Sequence, residues 1–506
     1  MKPAWLVFMI WLAGVPTAWS SNDVGQSEPN ATNTNSDQGA PASSTTAWHW
    51  TFKLRNRSGF RLARPRVWQM SRYMADVKGT GRLNDRWRLT LEGRAHYDPI
   101  GRLGFPKILW VDPRQVLLDG RMGPLTLSLG LQQVVWGQAD GLRILDVVNP
   151  LDYREFILED FPDSRRPLWM ARVDAPFIKQ SSLQFLWIPY FAPGRVPAPE
   201  NEFGFGAAYG LGVFPLALDN SPWPIVGIRN ELIRRPPHRL RASQAGLRWS
   251  RSLWSWDLTA HVFHGWEDIA TPDLKIGPAS YRAETGLVTV DSMLIGPVTI
   301  PRSNIYGPSL SYLADSPVAL RARRGSGEEV AGLLAQIGGH YDRKTVFGVT
   351  AANTIGPVVL RLEAGWTARR PFAVRTFPVT APFQRFGQFA GVLGIDYSFR
   401  SWLWTSAQYF LQLTSAPQSI LRQPRNAHLV SLHLRGEFQR ETLHPEVFIL
   451  AGLSRRQFLL RPRVARGFGD HWSAAWGVDI FGGHADTFLG FFATRKRAVV
   501  EIKYER

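Results

Sequence analysis

The chain has 506 residues and no cysteine, which excludes disulfides, thiol chemistry and a cysteine-linked lipid anchor. Its 59 Lys+Arg against 41 Asp+Glu give a formal charge of +18, which fits a nucleic acid, an anionic membrane surface or an anion-lined pore. The cations stand singly inside alternating segments, as in Arg361-Leu362-Glu363, not in runs, so no nucleic-acid partner is expected.

In chain order, residues 1–20 read as a secretory signal peptide. Lys2 precedes an apolar stretch from Ala4 to Val15, and Ala18 and Ser20 supply the small residues of a cleavage site. Residues 21–46 are Ser, Asn, Thr, Gln, Gly and Pro with almost nothing apolar, and are expected to be a disordered lead-in. Residues 47–506 form the body of the protein. No apolar run there reaches the ~18 residues of a membrane-spanning helix.

Period-two segments recur instead. Trp254, Trp256, Leu258, Ala260 and Val262 alternate with Ser255, Asp257, Thr259 and His261. Leu360, Leu362, Ala364 and Trp366 alternate with Arg361, Glu363 and Gly365, and similar runs cover 393–400 and 432–438. One face is aliphatic or aromatic and the other charged, as a strand between lipid and a wet lumen requires. Backbone polar groups in hydrocarbon must all be paired, so strands can cross only as a closed barrel. The 21 Trp, 29 Phe and 12 Tyr suit aromatic girdles at the two interfaces. The expected fold is therefore an all-β, transmembrane antiparallel barrel of roughly 14 to 18 strands at ~10 residues each. The Pro-rich stretches 189–199, 222–237 and 371–382 are expected to be loops, because proline lacks a ladder donor. The segment 321–329 reads as an exposed loop tip.

One stretch breaks the alternation. Leu125, Leu127, Leu129 and Leu131 alternate with Thr126, Ser128, Gly130 and Gln132. About thirty residues without alternation follow, and Leu168-Trp169-Met170 then opens the next strand. This insert, placed at 136–167, carries Asp140, Asp146, Asp152, Glu155, Glu159, Asp160 and Asp163 in a basic chain. It is expected inside the barrel against a basic wall, either as a structural brace or as a constriction on the solute path. The residues singled out are Trp136, Gly137, Asp140, Asp146, Asn149, Pro150, Asp152, Arg165, Arg166 and Trp169. Gly137 relaxes the backbone after a strand, Asn149-Pro150 starts a turn, and the carboxylates pair with lumen arginines.

QQVVWGQADGLRILDVVNPLDYREF followed by DSRRPLWM resembles the signature of the domain-of-unknown-function 1302 family, predicted Gram-negative outer-membrane barrels. Members commonly carry Glu where this chain has Gln138. The resemblance implies an outer-membrane location and work with hydrophobic compounds beside inner-membrane pumps of the resistance-nodulation-division type. It implies no substrate.

At the end of the chain Val500, Ile502 and Tyr504 alternate up to an aromatic and resemble the terminal signal read by the barrel-assembly machinery, although Glu505-Arg506 follow. No Gly-x-Ser-x-Gly elbow, phosphate loop or His-Glu-x-x-His is present. His428, Ser431 and His433 share one strand, a common accident in polar-faced strands. Asp140, Asp146 and Asp152 recur every six residues, a spacing that matches no EF-hand loop. Neither an enzyme nor a metal or cofactor site is expected. The expected function is an outer-membrane channel or transporter that passes, or helps export, a hydrophobic or amphipathic compound. The alternatives are a general anion-preferring porin and a non-transporting surface protein that binds lipopolysaccharide.

Overall fold

The computed structural model describes residues 48–178, 180–198, 201–204, 225–282, 287–292, 296–301, 329–374, 383–399, 402–421, 423–484 and 487–506. The stretches expected to be a signal peptide and a disordered lead-in, and most of 321–329, lie outside these residues.

Eighteen antiparallel strands form one sheet that closes on itself. The first seven are β1 (Trp48–Arg61), β2 (Trp68–Arg82), β3 (Trp87–Tyr97), β4 (Trp110–Met122), β5 (Leu125–Gln132), β6 (Leu168–Phe177) and β7 (Ser181–Ile188). The barrel continues with β9 (Gln244–Leu253), β10 (Trp256–Trp266), β15 (Arg343–Ile355), β16 (Val358–Ala373), β17 (Phe383–Phe399) and β18 (Leu403–Thr414). It ends with β19 (Asn426–Gly436), β20 (Leu443–Gly452), β21 (Gln457–Phe468), β22 (Trp472–Gly483) and β23 (Arg497–Glu505). β23 closes the ring on β1 in the register Lys53↔Glu505 to Arg61↔Arg497.

The five remaining strands, β8 (Ile225–Arg234), β11 (Thr271–Arg282), β12 (Leu287–Ser292), β13 (Gly296–Pro301) and β14 (Glu329–His340), make a second sheet. β11 and β14 continue the β10–β15 pair beyond the barrel, and β8 adds to β14 in parallel. This corrects two loop expectations. β8 runs through the Pro-rich stretch 222–237, between its prolines, and Pro371 is paired with Arg385 near the end of β16. A further correction concerns Trp254 and Ser255. Both have positive φ and form the β9–β10 hairpin turn, so the strand begins at Trp256.

The two ends of the barrel differ. Connections 83–86, 123–124, 178–180, 254–255, 356–357, 400–402, 437–442 and 469–471 are tight and lie at one end with both chain termini of the barrel. The other nine connections lie at the opposite end; those after β3, β5, β7, β10, β16, β18 and β22 are long, while 62–67 and 453–456 are short. Short turns on one side and long loops on the other is the asymmetry of outer-membrane barrels. At the tight-turn end the rings form a chain of contacts along the outside: Trp48–Trp50 at 5.7 Å, Phe399–Trp402 at 5.9 Å, Trp402–Phe438 at 5.5 Å and Trp472–Tyr504 at 5.0 Å. Such a ring of amphipathic side chains suits a bilayer interface.

Outward positions are bare hydrophobics, as on β1, where Trp50, Phe52 and Leu54 are 47 to 52% exposed, while inward Arg55, Arg57 and Arg61 are buried. A soluble protein would leave such a continuous apolar exterior unpaired with solvent, whereas lipid matches it. Val500, Ile502 and Tyr504 belong to this outward face of β23. Beyond Tyr504, Arg506 still pairs with Phe52 through both backbone groups, at 2.7 and 2.9 Å, so the last residues are part of the seam.

Candidate functional site

The alternation ends at Gln132 and resumes at Leu168, so the insert comprises 133–167, three residues more than its sequence bounds. It enters from the long-loop end and folds into the lumen. Of residues 141–160, all but Ile144, Val147 and Asp152 are buried, which is the burial of a core and not of a surface loop.

Asn149 ties the base of this excursion. Its Oδ1 accepts from the Val134 N–H at 2.8 Å, and its Nδ2 donates to the Arg166 carbonyl at 2.8 Å. Pro150 adds a carbonyl that accepts from Arg166 N–H at 2.8 Å. The turn expected at Asn149-Pro150 therefore also joins the two limbs. A Cβ on Gly137 would come within 2.9 Å of the Asp146 backbone nitrogen, so the limbs pass too closely there for any side chain.

Trp136 is the wedge at the first limb. Its Nε1 donates to Gln184 Oε1 at 2.8 Å, and its ring lies 4.8 Å from His261 and 6.1 Å, edge on, from Phe263. It sits over Gly246 of β9, where a Cβ would meet the indole at 2.5 Å. Next to it the Gln138 N–H donates to Glu363 on β16, while Arg361 donates to the Gln138 carbonyl at 2.9 Å and to Asp140 at 2.8 Å. Docking at this wall uses the backbone of Gln138, so it needs no carboxylate there.

The second limb meets the opposite wall. Arg55 pairs with Asp163 at 2.5 Å, and Arg57 with Glu159 at 2.6 Å and Asp160 at 3.3 Å. Arg72 holds Glu155 and Glu159, Arg94 holds Asp163 at 2.7 Å, and Arg497 reaches Glu155 at 2.8 Å. These groups are almost fully buried, which is sustainable only because each carboxylate meets a guanidinium. Beside them an apolar core gathers at the mouth. Phe156 lies 4.4 Å from Phe492 and 4.5 Å from Phe488, and packs with Phe203 and Phe481.

The expected acidic insert against a basic wall is present, but its carboxylates divide differently. Asp146 pairs with Arg165 at 2.7 Å and Arg143 at 3.1 Å, both on the insert. Asp152 pairs with Arg154 at 2.6 Å and with Arg195 of the following loop at 3.6 Å. Neither touches the wall, whereas Asp140 does. The three aspartates thus face three different sets of arginines and do not converge as cation ligands. Arg166 donates to the Pro193 carbonyl. Trp169 is 55% exposed on the outward face of β6 and takes no part in the insert, a correction to its selection. On β19, Ser431 and His433 point inward while His428 sits beside outward Tyr409, so these three do not form one constellation.

Sequence reasoning expected a basic wall but did not name its residues. Lys53, Arg55 and Arg57 on one face of the first strand were the available signal, but their partners lie more than a hundred residues away.

A cavity of about 70 Å³ separates the insert from the wall formed by β9, β10 and β15 to β18. Arg143, Asp146, Glu267, Asp268, Lys344 and Arg370 are its charged lining, with Val147, Phe191, Trp266 and Val346 among its apolar part. Burial, only partly offset by Asp146, pushes the Arg143 pKa down to about 9.

The chain is similar to several solved outer-membrane proteins. OccK8 (OprE) of Pseudomonas aeruginosa shares 8% identity at a TM-score of 0.48, over 91% of this chain and 98% of that one. OccAB3 of Acinetobacter baumannii shares 8% at 0.46, over 91% and 99%. OmpF of Salmonella typhi, solved with daunomycin, shares 9% at 0.40, over 91% and 98%. At these values the likeness adds nothing to the barrel traced strand by strand above. No curated protein matches the chain. The family model described as "Protein of unknown function (DUF1302)" matches residues 109–417, more than half of the chain, including β5, the whole insert and β6. The chain, with its insert as the most distinctive part of the matched region, belongs to the DUF1302 family.

Proposed function

We propose that this protein is a gated outer-membrane conduit for amphipathic solutes, closed at rest by the 133–167 insert. One observation carries the reading: the insert spans the lumen and is anchored on both sides, by Arg361 and Glu363 on one wall and by Arg55, Arg57, Arg72, Arg94 and Arg497 on the other. An open anion-preferring porin would leave those arginines facing water, and here carboxylates neutralise them. A non-transporting lipopolysaccharide binder would need no docked insert at all. The lumen-side arginines, the apolar mouth and the mixed lining of the cavity favour solutes with both a charged and an apolar part. Cooperation with an inner-membrane pump belongs to the same proposal and rests on family resemblance alone.

Uptake into liposomes tests the reading. Vesicles carrying the folded barrel should take up amphipathic acids saturably and exclude inorganic anions of smaller size. Equal, non-saturating entry of chloride and organic acids would instead make it an open porin.

A further inference from the structure

The cavity between the insert and the β9–β18 wall carries an unusual set of buried polar atoms without hydrogen-bond partners. On the donor side, Arg143 spends its Nη2 on the Phe161 carbonyl at 2.9 Å and on Ser164 Oγ at 2.8 Å and turns its Nε to Asp146 Oδ2 at 3.1 Å, while its Nη1 makes no hydrogen bond. Gln388 accepts from Arg370 through Oε1 at 2.6 Å, which fixes the amide and leaves Nε2 free to donate. On the acceptor side, Asp146 Oδ1, Glu267 Oε1 and Gln412 Oε1 are likewise without hydrogen-bond partners. All five residues line the one cavity and each is at least nine-tenths buried. Orphaned polar groups are costly in a protein interior, and five converging on one space mark a site built for a polar guest.

Charge selects among guests. Arg143, Lys344 and Arg370 line the cavity and Arg165 stands behind Asp146, so four cations oppose Asp146, Glu267 and Asp268. One positive charge is in excess. Burial also favours the neutral form of Asp268, which enlarges that excess. The guest is therefore anionic, and a zwitterion would leave the imbalance in place. The orphaned acceptors require that it also carry hydrogens to donate. Val147, Phe191, Trp266 and Val346 supply an apolar edge. At ~10–15 Å³ for each enclosed water, about 70 Å³ holds roughly five to seven water-sized groups, enough for a carboxylate and a hydroxyl-bearing carbon one methylene away.

We propose that this cavity binds the head of a small hydroxylated monocarboxylate, with its carboxylate on Arg143 and Gln388 and its hydroxyl donating to Gln412. The proposal rests on the reading of the barrel as a solute conduit and names the class of solute that the conduit selects.

The experiment is isothermal titration of the folded barrel in detergent with four probes: 3-hydroxybutyrate, butyrate, 1,3-butanediol and 3-aminobutyrate. 3-Hydroxybutyrate should bind saturably and at least about tenfold more tightly than the other three, since each lacks the hydroxyl, the carboxylate or the net charge. Arg143→Gln should weaken 3-hydroxybutyrate by about tenfold or more. Because that change also touches the insert, Gln412→Leu on the barrel wall provides an independent arm. It should bring 3-hydroxybutyrate down to the affinity of butyrate and leave butyrate unchanged. Heat-dependent gel mobility confirms that each variant is folded. No saturable binding, equal binding of the four probes, or insensitivity to both substitutions would overturn the proposal. Selective binding without uptake of 3-hydroxybutyrate into liposomes would leave the site standing and overturn the conduit.

Discussion

Glu159 and Asp160 are neighbours in sequence, yet their surroundings drive their protonation in opposite directions. Both lie on the insert, outside the membrane-spanning strands. Burial opposes the charge of Glu159, but Arg72 and Arg57 outweigh it and hold this carboxyl below the usual range. Asp163 is held low in the same way by Arg55 and Arg94. Asp160 is pushed up to about 7, first by burial and then by Asp163 and Glu501, against the single strong opposition of Arg57. The consequences for docking have opposite signs. Glu159 and Asp163, being depressed, favour the docked insert above the ordinary carboxyl pKa of ~4, and this contribution is lost as pH falls below it. Asp160, being raised, favours docking fully below ~4 and loses its contribution as pH rises through about 7. The insert should therefore be held most firmly near pH ~4, with docking weakening as pH rises from there to about 7 and levelling off above it. Leak conductance recorded across pH 3 to 9 should pass through a minimum near pH ~4, and Asp160→Asn should flatten its alkaline side only. A leak that rises or falls monotonically would show that these groups do not control docking.

At the scale of elements, the insert is held by two kinds of contact. The wall pairs of the second limb are electrostatic, whereas the first limb adds an aromatic wedge to its contacts with Arg361 and Glu363. Trp136 is 1% exposed and fills the space left by Gly246. Truncating a buried Trp typically costs about 3–5 kcal/mol, through lost burial and the cavity that remains. Here Gln184 Oε1 would also lose its donor. Trp136→Ala should therefore leave a heat-modifiable, assembled barrel while releasing residues 134–145. Trypsin should then cut at Arg143, which is buried in the native protein. Protection of Arg143 from trypsin in that variant would mean that the wall arginines alone suffice. Of this arrangement, the insert and its acidity were legible in sequence, because the period-two pattern stops at Gln132 and resumes at Leu168. Which carboxylates reach the wall was not. Asp146 and Glu155 look equivalent along the chain, and only the fold sets one against Arg165 and the other against Arg72 and Arg497. Gly246 and the cavity residues on β9 to β18 gave no local signal, since a packed glycine and an inward glutamine look like any lumen position.

For the whole molecule, alternation was enough for the class of fold, because membrane strands must expose apolar side chains on every second residue. It was not enough for the boundaries. The Trp254-Ser255 turn continues the strand-like alternation on both sides, and β8 runs between prolines that read as a loop. The strand number, 18, falls at the upper limit of the expectation because loops on the tight-turn side are so short. An 18-stranded barrel is wide enough for an aqueous channel when its interior is empty. The central claim is therefore that the insert is what closes it. Single-channel recording in a planar bilayer should compare the intact protein with a variant in which residues 138–163 are replaced by a short Gly-Ser linker. The account predicts near silence from the intact barrel and frequent large, anion-selective steps from the variant, whose uncovered Arg55, Arg57, Arg72 and Arg94 would line the lumen. Large steps from the intact protein, or silence from an assembled variant, would contradict it.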